Sequence, residues 1–108
     1  MLKLLMRKKS SKLTSDQIKE PFLRHVEHSL EREDYHAAVA FLNSAIELLP
    51  DDLELYFQRG QVTQFGLCDF CSALKDYRHI MSRLEHSENA PLFRECKAAI
   101  GDMMHHTP

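Results

Sequence analysis

The sequence predicts an all-α fold built from helix hairpins, and three observations carry that expectation. The stretch from Asp34 to Asp52, DYHAAVAFLNSAIELLPDD, places Tyr35, Ala38, Val39, Leu42, Ala45, Ile46 and Leu49 at alternating steps of three and four. That spacing draws one apolar stripe along a helix, and alanines within it let a neighbouring helix approach closely. The pattern then returns 35 residues on: Asp34, Tyr35, Ala38, Val39, Leu42 and Leu49 fall on Asp69, Phe70, Ala73, Leu74, Tyr77 and Leu84. Finally, three glycines and four prolines in 108 residues leave little material for the tight turns of a sheet.

The elements follow in order. Residues 1–14 read as a basic arm, with Lys3, Arg7, Lys8, Lys9 and Lys12 and no acid before Asp16. Leu2, Leu5 and Met6 can share one side of a short helix there, but so short a helix is marginal in water, and a solvated terminus is expected. Thr14-Ser15-Asp16-Gln17 has capping-box spacing, so a helix is expected to start near Ser15. Pro21 either lies inside that helix or restarts it. Phe22, Leu23, Val26 and Leu30 form its apolar side. Asp34 is placed to cap the second helix, and Pro50 stops that helix because it supplies no N–H. Asp51 and Asp52 open a third helix, where acids suit the positive end of the dipole. Leu53, Tyr56, Phe57, Gly60 and Phe65 run along it to Gly66, the expected stop. Asp69 caps a fourth helix, Phe70 to about Leu84, whose outer face carries Lys75, Asp76, Arg78 and Arg83. Asn89-Ala90-Pro91 then reads as a cap with proline in the first turn of a fifth helix. Leu92, Phe93, Cys96, Ala99, Ile100 and Met103 form its stripe, and the residues after Met103 are expected to fray.

Phe22 and Val26 fall on Tyr56 and Gly60 after 34 residues, so the second hairpin is longer by one residue, near Gly66. Two such units resemble the tetratricopeptide repeat family, whose period is about 34 residues. The resemblance covers roughly residues 19–86. It puts Phe22 and Tyr56 at the aromatic site of the first helix and Gly60 at its close-contact site. Tyr35 and Phe70 match the aromatic site of the second helix. Ala38 and Ala73 match its small site, Leu42 and Tyr77 its large site, Ala45 its second small site and Pro50 the terminal proline. Departures are Val26 at a small site, His25 and Arg59 at a leucine site, Ser29 and Thr63 at a tyrosine site, and Ile80 at a small site. The implied fold is a right-handed α-solenoid stack over residues 15–104, with units at about 19–52 and 53–87. A capping helix at about 90–104 covers the last unit, and residues 105–108 form a tail.

Charge narrows the function. With the five basic residues of 1–12 set aside, 9 basic and 16 acidic residues remain, a balance of −7. An acidic repeat surface does not suit nucleic acid, which needs basic contacts. No apolar run approaches the ~18 residues of a membrane span. The apolar run Leu4–Met6 is far short of a secretory core of ~7–15 residues, so a cytoplasmic protein with reduced cysteines is expected.

Cys68-Asp69-Phe70-Cys71 is a C-x-x-C at a helix start, where a thiol's pKa falls. It lacks the βαβ setting of a redox site, and a zinc site would need Cys96 with His86, His105 or His106 to complete it. His25 and His28 share a helix face without a third ligand. No phosphate loop, nucleophile elbow or carboxylate pair appears. The expectation is a non-catalytic protein without cofactor or metal.

In the resembling family the first helices of successive units line a groove that binds a peptide or helix of another protein. The positions carried to that face are Leu23, Arg24, Glu27, Phe57, Gln58 and Gln61, with Arg94 on the capping helix. The lysine and asparagines of the chaperone-binding clamp fall at Leu23, Glu27 and Gln58, so that clamp is absent. The mixed surface of an exposed Phe57 with Gln58 and Gln61 is expected to favour a partly apolar partner segment. The competing expectations are a structural subunit that self-associates or assembles through its stack end, and a thiol or zinc protein built on Cys68 and Cys71.

Overall fold

The computed structural model describes residues 13–106, so residues 1–12 of the expected basic arm and residues 107–108 of the expected tail lie outside the described residues. Among the described residues every regular element is helical and no strand occurs. Helix α1 spans Ser15–Glu31, α2 Tyr35–Leu48 and α3 Leu53–Gln61, which passes into a π-helical turn at Val62–Gly66. Helix α4 spans Phe70–Arg83 and α5 Pro91–His106, two residues beyond the expected end of the capping helix.

Local chemistry starts each helix. The Thr14 N–H donates to Gln17 Oε1 at 2.9 Å while the Gln17 N–H donates to Thr14 Oγ1 at 3.1 Å, so two orphan donors of the first turn are satisfied reciprocally. Pro21 lies inside a continuous α1 rather than restarting it. The Asp34 carboxylate accepts from the Ala37 N–H and that of Asp69 from the Ser72 N–H, both at 3.2 Å. The Ser72 hydroxyl and N–H together hold the exposed Asp69 carboxyl below the usual range. Asp52 caps α3 through the Glu54 N–H.

The turns into α2 and α4 are copies. Glu33 and Cys68, 35 residues apart, are the described non-glycine residues with positive φ, at 56° and 54°. Each sits immediately before a capping aspartate, where the left-handed residue lets the chain close one helix and open the next. The Asp34 N–H donates to the Ser29 carbonyl and the Asp69 N–H to the Thr63 carbonyl, both at 2.8 Å. The first closure spans five residues and the second six, and the π-turn absorbs the difference, since an i→i+5 ladder holds one more residue per turn. Gly66 is the last residue of that turn, so the helical run stops there as expected, although without the left-handed φ of a glycine stop. Its lack of a side chain admits the Tyr35 ring, whose Cδ1 would stand 2.5 Å from an added Cβ.

Packing proceeds between sequence neighbours: α1 on α2, α2 on α3, α3 on α4 and α4 on α5. Ala38 and Ala73 are fully buried, as are Leu42, Ala45, Tyr77 and Ile80. Two apolar clusters result. One gathers Val26, Ala38, Leu42, Ala45, Leu55 and Val62, and the other Ala73, Tyr77, Ile80, Cys96, Ala99 and Met103. Helix α5 repeats the burial of the first helices: Val26 and Ser29, Gly60 and Thr63, and Cys96 and Ala99 are all buried with the same spacing of three.

The positions that depart from the resembling pattern have partners. Ser29 and Thr63, buried, return their hydroxyls to the carbonyls of His25 and Arg59 one turn back. His25 stacks on Phe41 with ring centroids 4.7 Å apart, whereas at the matching place Arg59 grips Asp76 through Nε at 2.9 Å and a terminal nitrogen at 2.6 Å. Lys19 and Asp52, both largely buried, pair at 2.7 Å and tie α1 to the start of α3.

Candidate functional site

The side chains expected to line a groove fall into two states. On α1, Arg24 and Glu27 are exposed and Leu23 is half-buried against the first cluster. Arg24 is held by Glu20 one turn back through both carboxylate oxygens, which raises its pKa further. On α5, Arg94 is exposed in the first turn.

On α3 the expectation of an exposed Phe57 does not hold. Phe57 is half-buried, packs into the second cluster and lies 5.9 Å from the Tyr77 ring centroid. Its neighbour Gln58 is half-buried as well. Gln61 donates to the Tyr77 hydroxyl at 2.8 Å, and that hydroxyl donates to the buried Gln64 Oε1 at 2.7 Å. The structure thus brings Phe57 and Gln61 together around Tyr77 as packing and a hydrogen-bond relay. The Tyr77 ring lies over Gly60, where an added Cβ would approach its Cε1 to 2.7 Å. The family resemblance placed Phe57 on the groove side of α3, whereas the apolar spacing had it among the residues running along that helix; the bulk that half-covers it comes from α4.

The thiols separate. Cys68 and Cys71 are exposed at the turn into α4, while Cys96 is buried in the second cluster, where burial first and the charges of Glu95 and Glu54 next push its pKa to about 11. His25 is occupied by Phe41, and His28 stands 3.4 Å from Glu31. Among the described residues no three His, Cys, Asp or Glu side chains gather where a metal ion would sit. No described helix is long and apolar enough to cross a membrane.

A further feature was not singled out by sequence reasoning. Between α4 and α5 lies an apolar cleft of about 280 Å³, lined by Phe70, Cys71, Leu74 and Arg78 from one side and Ile100, Met103 and Met104 from the other. The signal was present in the repeat: Phe70, Cys71, Leu74 and Arg78 stand 35 residues after Tyr35, His36, Val39 and Asn43. In the first half His36, Val39 and Asn43 line a polar depression together with Arg59, Thr63, Asp69 and Asp76. Comparison of the chain with protein-family models, with curated proteins and with solved structures gives no match.

Proposed function

We propose that the chain is a non-catalytic protein-binding module of the tetratricopeptide kind, working in the cytoplasm. In this reading it presents the outer faces of α1, α3 and α5 to a peptide or helix of another protein. The observation that carries the reading is the doubled turn, with a left-handed residue, a capping aspartate and an alanine nest recurring after 35 residues. Such duplication builds a surface rather than a reaction centre, because each copy repeats packing positions and neither adds a converging set of reactive groups.

On that surface Arg24, Glu27 and Arg94 are the exposed contacts and Gln58 a partly exposed one, while Phe57 and Gln61 support them from within. The test uses exposed side chains alone, since Phe57 is now a packing residue. Arg24→Glu, Glu27→Lys and Arg94→Glu together should abolish capture of the proteins that the unaltered chain retains from cell extract, with the melting curve unchanged. Undiminished capture of the same proteins would remove the groove from consideration.

A further inference from the structure

The three glycines divide by cause. A ring occupies the space in front of Gly60 and of Gly66, but nothing stands within 4 Å of where a Cβ would be built on Gly101. Gly101 lies inside α5, where a glycine weakens the helix and no close approach requires one. The rest of α5 points the same way. Its buried side chains are Cys96, Ala99 and Met103, two of them small. Residues 85–89, which lead into it, are all exposed, and among the described residues the packing of α5 is principally against α4. Away from that support a helix of 16 residues is marginal in water, so undocking and unwinding go together.

We infer that α5 is a latch: it undocks and unwinds by itself while α1 to α4 stay folded, and in doing so it dismantles one end of the binding groove. Two links carry that effect. Arg94, exposed on α5, departs with the helix. Tyr77, fully buried, shares its cluster with Cys96 and Ala99 of α5. The same tyrosine packs on Phe57, with ring centroids 5.9 Å apart, and accepts the Gln61 hydrogen bond at 2.8 Å. Removing the cover that α5 gives Tyr77 therefore loosens both of those α3 side chains. Linkage makes the effect mutual, so a partner segment that grips Arg94 holds the latch closed. This bearing on partner binding rests on the groove reading above, whereas the opening of α5 does not.

Cys96 reports the state of the latch, because it lies on α5 and is out of reach of a thiol reagent while the helix is docked. Carrying Cys68→Ser and Cys71→Ser, the full chain keeps Cys96 as its single thiol and is mixed with dithiobis(nitrobenzoate) over a range of urea below the melting transition. Slow labelling is expected, with a urea dependence shallower than that of global unfolding, because opening α5 exposes only part of the buried surface. Gly101→Ala should slow the labelling about fivefold, and Ala98→Gly, at an exposed position of α5, should speed it about fivefold. Labelling with the full urea dependence of global unfolding would overturn the inference. So would a rate that neither substitution moves, since α5 would then not unwind to expose its thiol. No partner enters this measurement, so it stands or falls apart from the groove, which the triple variant tests.

Discussion

Gly60 is bare because Tyr77 occupies the space where a side chain would stand. Alanine there gains about 1 kcal/mol of helix propensity but presses on a fully buried ring that two glutamines hold in place. Overpacking of that kind costs about 1–3 kcal/mol, so Gly60→Ala should lower the urea midpoint with an unchanged slope; an equal or higher midpoint would mean that the ring has room to move. The same burial controls behaviour in base. Tyr77 is pushed from 10.0 to about 12, chiefly by burial, and Cys96 from 9.0 to about 11. Both folded values are raised, so both groups contribute stability that is complete below pH 9 and is lost as pH climbs from 9 towards 12. Absorbance at 295 nm should show Tyr77 ionising only as the far-ultraviolet dichroism collapses. Tyr77→Phe should remove that late step. Ionisation of every tyrosine near pH 10 in a still helical protein would contradict the burial argument.

At the scale of the element, the closing turn after α3 is the closing turn after α1 with one residue added. Ser29 and Thr63 make the same back-bond and Glu33 and Cys68 the same left-handed turn, yet the second closure is longer by the residue that the π-turn absorbs. Phe65 is the exposed member of that turn, with two thirds of its surface in solvent. Deleting Phe65 should let Val62–Gly66 relax into α-helical spacing and keep a single cooperative thermal transition. Deleting Gln58 should not, because it rotates every later α3 side chain by about 100° and scrambles both clusters. Thermal melts followed by circular dichroism decide it, and equal damage from the two deletions would deny the turn its role. The extra residue was countable in the sequence, as were the capping aspartates and the alanine nests, because each rests on neighbours three or four positions away. Three features were not readable: the stack of His25 on Phe41, the Arg59–Asp76 pair that replaces it, and the half-burial of Phe57. Each depends on which faces of two different helices meet, and no local spacing records that. The cleft between α4 and α5 was hidden for a related reason, since its two walls look like ordinary core stripes until the helix that closes the first half is compared with the space beside the second.

Across the whole molecule, α3 joins two clusters that otherwise share nothing. Leu55 and Val62 face the first, while Leu53, Tyr56 and Phe57 reach the second. Disrupting either cluster therefore loosens α3 and, through it, the other cluster, so α1 to α4 should unfold as one unit. Helix α5 is attached differently, because its packing is principally against α4. Native-state hydrogen exchange should find α5 amides opening at a lower free energy than those of α3, by a sub-global route that leaves the first cluster intact. Leu55→Ala, at a fully buried site, should cost about 2–5 kcal/mol and strip protection from α2, α3 and α4 together. It should leave the easier opening of α5 where it was, since none of the side chains that α5 sits on has moved. If α5 instead loses protection in step with α3, the five helices open as a single block, and the end of the chain is more firmly tied than its one principal neighbour accounts for.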